Sequence, residues 1–446
     1  MASTHPTESE LIRYPQPASS PEADLPTQGD GTHELDGGFS LPPTDGGKHA
    51  WLLLFSCFML EGIIWGFGSS YGIFQEYYST HEPFAGSSNI AVVGACAMGI
   101  MYMWIIPMFV LLKIYPRLRT WAAPVGLTIM CLSLGLGSLA TNVTHLIISQ
   151  GIMYAIGGGL AWTPILFYIE EWWVLRRGFA YGATMAGLGL SGAIMPVVLQ
   201  WLLDSYGFRT TLRVCALSVV ALNLPILFFF KPRLPLSQTT QSRDFDLSFW
   251  TCSNFLIFQS GNILQGLGYF LPAIYLPTFA RSLGASNLQS TATIILLNGS
   301  ACIGSFCMGA AVDRFAVVNC IGITALGSTI TVFLLWGLST SLAPLYVFCL
   351  LYGAFAGSNS SSWSAIMRDT KEKRRGADTG MIFACLSAGK GVANLCSGPL
   401  SEALLRAGSW RAGFAYGSGY GALIAFTGAT ALLSGWSYAA KKIGWF

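Results

Sequence analysis

The chain has 446 residues, of which 53% are hydrophobic and only 10% charged, with a formal net charge of +3. Soluble domains carry about 25% charged residues, so there are too few charges here to cover the surfaces of a soluble protein of this length. The bilayer must be the main solvent, and so small a net charge argues against a nucleic-acid partner.

Residues 1–48 are rich in Pro, Ser, Thr, Gly and acid and hold little apolar content. They lack the apolar core of a signal peptide. Such a stretch cannot bury enough surface to fold, which predicts a disordered cytoplasmic tail. From Ala50 onward the chain alternates between apolar runs and short polar breaks. A helix needs about twenty residues to cross the hydrocarbon core. The runs predict twelve spans, at 50–74, 89–112, 120–140, 145–168, 178–200, 210–230, 250–274, 290–311, 318–337, 343–366, 378–400 and 413–436. The longest internal hydrophilic break, 231–248, follows the sixth span and separates a half at 49–230 from a half at 249–436. A short tail, 437–446, ends the chain.

With the N-terminus inside, the inner breaks hold most of the Lys and Arg, among them Lys113, Arg117, Arg176, Arg177, Lys371 and Arg374. The outer breaks hold Arg209, Arg213, Arg281, Arg406 and Arg411. That asymmetry puts both termini in the cytoplasm. Arg176 and Arg177 thus mark the inner stop between spans four and five. Asn142-Val143-Thr144 is a glycosylation acceptor pattern in an outer break.

The halves repeat. "WGFG" at 65–68 answers "QGLG" at 265–268, "MYAIGGG" at 153–159 answers "LYGAFAG" at 351–357, and "RRG" at 176–178 answers "RRG" at 374–376. Six is even, so two six-helix copies have the same membrane orientation. Parallel halves about an axis along the membrane normal are the organisation of the major facilitator superfamily.

The stretch "EEWWVLRRGFAYGATMAGLGLSGAIMP" (170–196) resembles the span-four to span-five signature of monocarboxylate-porter-like major facilitators, especially their fungal branch. "DGGKHAW" (45–51) and "GSSYGIFQEYY" (68–78) resemble the same family at span one. The resemblance covers roughly residues 45–440. It implies an all-α membrane protein of twelve helices that rocks around a central site lined by spans one, four, seven and ten. The chain also departs from the family. Gly68 stands where lactate carriers have a lysine, Asn298 and Cys302 replace an Asp–Arg pair, and the first inner-loop pattern is replaced by "LLKIYPRLR" (111–119). Its counterpart survives as "GAAVDRF" (309–315), making Asp313 and Arg314, with Arg176 and Arg177, inner-loop gating residues.

Charge near the bilayer centre is costly and marks function by default. Glu61 in span one and Lys390 in span eleven lie at matching depth with opposite sign. They are expected either to pair or to act as a proton-responsive carboxylate beside an anion-binding lysine. Gln259, Asn262, Gly266 and Tyr269 give span seven a polar face. The other candidates for substrate binding or coupling are Trp65, Tyr71, Tyr154, Trp162, Asn298 and Asn359. Each has a plainer reading in helix packing, since small and polar side chains bond across or along their own helices. Gly178, Gly182 and Ala186 stand at small-xxx-small spacing and predict close packing of span five on span eight.

No nucleophile–base set, phosphate motif, metal cluster or ATP-binding pattern stands out, and the eleven Cys fall in or beside apolar runs. The expectation is a transporter and not an enzyme, without cofactor or metal, working as a monomer without ATP on a small organic substrate and, in one variant, protons. Export of a bulky organic acid or fungal secondary metabolite fits an aromatic, mostly uncharged lining. Proton-coupled uptake of a small monocarboxylate and a transceptor role are the alternatives. The plasma membrane is the expected location, with a vacuolar or other internal membrane as the alternative.

Overall fold

The computed structural model describes residues 41–87, 89–235, 246–406 and 408–445. Among these, regular structure is helical throughout. The spans are α1 (Lys48–Thr80), α2 (Ile90–Ile114), α3 (Pro116–Gly137), α4 (Val143–Trp172), α7 (Ser253–Ser282), α8 (Asn287–Val312), α9 (Val317–Trp336), α10 (Leu342–Lys373) and α12 (Gly421–Lys442). α5 (177–206) and α6 (208–227) form one continuous run, Arg177–Leu227, broken at Gly207. α11 (Thr379–Arg406) completes twelve. Ten helical runs, counting Arg177–Leu227 once, are long and apolar enough to cross a membrane. α11 is not among these ten, and Lys390, Glu402 and Arg406 make it less apolar than the rest. The chain is a multi-pass membrane protein.

Local chemistry sets the ends and breaks. Gly207 turns α5 into α6 with φ 70°, a left-handed conformation that a side chain would strain. Ser286 opens α8 with a capping box, its hydroxyl accepting from the Gln289 N–H while the Gln289 side chain accepts from its own N–H. Asn142 opens α4 in the simpler way, accepting from the His145 N–H at 2.9 Å. α4 and α10, at equivalent places in the two halves, are both interrupted. α4 breaks at Thr163 before Pro164, and α10 passes through a tighter turn at Asn359–Ser362.

The halves meet through α5 against α8 and through α2 against α11. The first contact needs small residues: a Cβ on Gly182 would stand 2.5 Å from the Ser305 carbonyl oxygen and 2.7 Å from the Gly309 Cα. The expected packing of span five on span eight is therefore present, with backbone on backbone.

Residues 1–40 of the expected tail, and 236–245 of the expected linker, lie outside the described residues. At 41–47 the structure departs from expectation. Asp45 donates its N–H to the Trp172 carbonyl, and its carboxylate accepts from the N–H groups of Val174, Leu175 and Arg176 at 2.8–3.0 Å. The Arg233 side chain donates to the Pro42 carbonyl at 2.8 Å. This stretch is anchored because a loop far along the chain offers it unpaired backbone donors, which local composition does not register.

Candidate functional site

The expected Glu61–Lys390 pair does not form. Among the described residues the ion pairs are Lys113–Asp378 and Arg406–Glu402. Glu61, buried in α1, instead accepts a hydrogen bond from the indole N–H of Trp162 in α4. Lys390, buried in α11, donates to the Ser360 hydroxyl at 2.6 Å. Its ammonium lies 4.7 Å from the centre of the Tyr269 ring and 5.7 Å from that of Trp363. Counting residues along a helix places a charge by depth but says nothing about the direction in which its side chain leaves the helix.

The two halves build the same device with different chemistry. Asn262 stands 201 positions after Glu61, and Trp363 stands 201 after Trp162. In the second half the Trp363 indole N–H donates to the Asn262 side-chain oxygen at 3.2 Å. Asn262 also donates to the Leu386 carbonyl at 2.8 Å. One half thus holds its tryptophan on a carboxyl and the other on an amide.

Phe383 of α11 joins the two. Its ring stacks on Trp162 with centroids 5.5 Å apart and on Tyr181 of α5 at 5.4 Å, and it meets Trp363 edge-on at 5.1 Å. All four side chains are buried. They form an aromatic plug spanning both halves, in the offset and edge-to-face arrangements that ring quadrupoles favour. Phe383 lies four residues into α11, about 6 Å along its axis. The plug therefore sits toward the end of the bundle where α1 starts and α12 ends.

Beneath the plug, at that same end, polar latches cross between the halves. Asp313, after α8, accepts from the Gly178 N–H at 2.7 Å and the Phe179 N–H at 2.8 Å, at the start of α5. Lys113, at the end of α2, reaches Asp378, just before α11, at 2.6 Å. The Thr379 hydroxyl donates to Glu170 at 2.7 Å. Toward mid-depth the last such bond runs from the Asn298 amide to the Gly192 carbonyl at 3.1 Å.

The remaining candidates divide between site and scaffold. Trp65 is buried, tilts against Tyr102 with centroids 4.4 Å apart, and has an indole N–H with no partner. Tyr71 donates to the Ile90 carbonyl at 2.9 Å, closing the turn from α1 to α2. Tyr154 donates to the Ile64 carbonyl at 2.8 Å inside the first half. Both hydroxyls are used by the scaffold. Asn359 lines a narrow cleft among α7, α9, α10 and α12, with Gln265, Thr324, Ser328 and Thr427. Arg177 donates weakly to the Trp173 carbonyl at 3.4 Å, the Arg176 side of the loop is held through its backbone by Asp45, and Arg314 is exposed. Of the four inner-loop candidates, the side chain that bridges the halves is Asp313.

Sequence reasoning missed Phe383, Tyr181, Lys113, Asp378 and Ser360. The polar run 357–364 pointed at Ser360 without singling it out. Phe383 carried no signal, being one of 28 phenylalanines in an apolar chain.

Residues 258–435 match the Major Facilitator Superfamily. The chain is 28% identical to the MFS-type transporter pynF of Aspergillus niger, over 87% of this chain and 88% of that one. It is 27% identical to the MFS transporter asaE of Aspergillus flavus, over 82% of each. It is 26% identical to the aspyridones efflux protein apdF of Emericella nidulans, over 82% of this chain and 74% of that one. Residues 258–435 match the family model and the similarity to these transporters runs through both halves, so the chain is similar to major facilitator superfamily transporters over most of its length.

Proposed function

We propose that this protein exports a bulky organic acid or fungal secondary metabolite by alternating access, as a secondary active transporter of the plasma membrane working as a monomer. The observation that carries this reading is where the halves are joined. The cross-half hydrogen bonds and ring contacts described above all lie between the termini end and mid-depth. They seal that end beneath a site bordered by Lys390, Tyr269 and Ser360, of which Tyr269 and Ser360 are only half-buried. A bundle closed at one end over a polar, aromatic centre is one of the two states that alternating access requires. With the termini inside, as the basic breaks indicate, the closed end is cytoplasmic.

The direction of transport rests on the relatives, one of which is named an efflux protein. Glu61 is the group we assign to proton coupling, because it is a buried carboxyl held by a single neutral donor at the joint of α1 and α4. The test is deletion of the gene in its own host with metabolite profiling of cells and medium. Export predicts that one metabolite rises in the cells and falls in the medium. The reverse pattern identifies uptake, and unchanged profiles under producing conditions refute a metabolite carrier.

A further inference from the structure

We propose that Lys390 is the anchor for an organic anion with a flat, conjugated body, so that the charge which balances this lysine is carried by the cargo and not by the protein. The inference rests on the reading above that an organic molecule occupies the centre of the bundle.

Lys390 is 4% exposed. It stands eleven residues into α11, about 17 Å from its start. An ammonium at such depth is expensive unless it is paired. The group has three N–H donors. The one hydrogen-bond partner the structure gives it is the neutral Ser360 hydroxyl, and among the described residues no carboxylate lies within ion-pair distance of it. Glu61, the other charge at this depth, is already held by Trp162. The rings of Tyr269 and Trp363 temper the charge without neutralising it.

A second buried donor makes no hydrogen bond. The Trp65 indole N–H is buried and unpartnered. Trp65 packs on Tyr102, and Tyr102 in turn packs on the helix beside Lys390, since a Cβ on Gly391 would meet the Tyr102 Cβ at 2.6 Å. Trp65, Tyr102 and the backbone at Gly391 are thus in continuous contact, one residue along α11 from Lys390. Lys390 keeps ammonium donors beyond the one given to Ser360, which suits an anion. A carboxylate or an enolate supplies both the negative charge and the oxygen lone pairs. The half-buried face of Tyr269 supplies an offset-stacking surface for a planar body. A saturated, globular acid gains the first interaction without the second, and a neutral planar molecule gains the second without the first.

The test uses the full-length protein purified in lipid nanodiscs, titrated with 2-naphthoate and with 2-naphthamide, which share a flat body and differ in charge. Binding is read by isothermal calorimetry. A hydrogen bond to a charged group corresponds to roughly tenfold to a hundredfold in affinity, and this is the preference expected for the acid. Lys390→Met should abolish the preference, and Lys390→Arg should keep most of it. Tyr269→Ala should weaken 2-naphthoate while leaving the acid preferred over the amide. If Lys390→Met does not fold, protection of Lys390 in the native protein from reductive methylation by 2-naphthoate, read by mass spectrometry, locates the same contact. Equal binding of acid and amide, a preference that survives Lys390→Met, absence of protection, or no binding of the acid at millimolar concentration each overturns the proposal. Failure of the export reading would show separately, as unchanged metabolite profiles in the deletion strain, whatever the binding result.

Discussion

The starts of α5 and α11 occupy equivalent places in the two halves, yet they are fastened by opposite chemistry. At α5 the other half supplies an anion: Asp313 accepts directly from the Gly178 and Phe179 N–H groups. At α11 the anion is local: Asp378 accepts from the Met381 N–H at 3.2 Å, and the other half supplies a cation, Lys113. A helix N-terminus carries unpaired donors and partial positive charge, so both starts need a carboxylate. Once α11 has its own, a second carboxylate from the facing loop would repel it. The loop "LLKIYPRLR" supplies the complementary lysine instead. What reads in the sequence as loss of an inner-loop pattern is, in the structure, a latch with its signs exchanged.

The largest effect is expected at Asp313. Asp313→Ala removes the acceptor for two N–H groups at a half-buried position, a loss of roughly 1–3 kcal/mol for the joined state. Asp313→Asn keeps one carbonyl acceptor and should lose about half as much by the same reasoning. Spin-label distances between the starts of α5 and the ends of α8, together with thermal melting, read the change. Unaltered distances and melting in Asp313→Ala would mean that this contact does not hold the halves together.

Next comes Asp45, which serves the same loop from its own half. Asp45→Ala should cost about 0.5–2 kcal/mol, the range of a lost N-terminal cap. Because Asp45 joins residues of one half only, the loss should appear in melting with little change in the cross-half distances. A chain beginning at Leu41 should melt like the full-length protein. One beginning at Gly46 should show the Asp45→Ala loss, and equal melting of the two shortened chains would remove any role for this segment.

The α11 latch should be weaker. Lys113 and Asp378 keep side-chain exposures of 13% and 22%, so the pair is partly wet. Lys113→Ala should cost about 1 kcal/mol or less. The informative variant exchanges the two charges, Lys113→Asp with Asp378→Lys. A simple ion pair would survive exchange. Here the exchange sets a lysine at a helix N-terminus and removes the group that accepts from Met381, so the double variant should be worse than either single one. Full rescue would show that Asp378 serves the ion pair alone.

These positions show what a sequence of this kind discloses. Crossing a bilayer demands about twenty apolar residues, so the spans and the repeat could be read directly, and Gly178 and Gly182 announced the α5–α8 contact. Glu61 and Lys390 were found because charge is rare in such segments. Their partners, Trp162 and Ser360, depend on which way each helix is turned, and an almost uniformly apolar helix carries little pattern from which to read rotation. Phe383 is further still from legibility. Its role comes from meeting rings of both halves, a property of tertiary position and not of residue type. Asp45 and Lys113 were hidden for a different reason, since each acts on a loop more than a hundred residues away.

The smallest effect is expected at Asp246, the counterpart of Asp45 beside the second half. A Cβ on Gly376 would press against its carboxylate, so Asp246 lies against the loop that leads into α11. It accepts from the Ser248 N–H at 2.8 Å. The Ser248 hydroxyl and backbone N–H, with a smaller contribution from Arg374, hold its carboxyl below the ordinary carboxylate range. A depressed carboxyl stabilises the fold above its ordinary pKa and loses that contribution as the pH falls through the lowered value. Asp246→Asn should therefore lower the melting temperature slightly at neutral pH, by less than Lys113→Ala does. The difference from the native protein should shrink toward zero in acid, where the native side chain is itself protonated. A difference that persists unchanged at low pH would mean that Asp246 acts through its shape at Gly376 and not through its charge. In that case the start of α11 would depend on charge only through Lys113 and Asp378, and the parallel with Asp45 would be one of position alone.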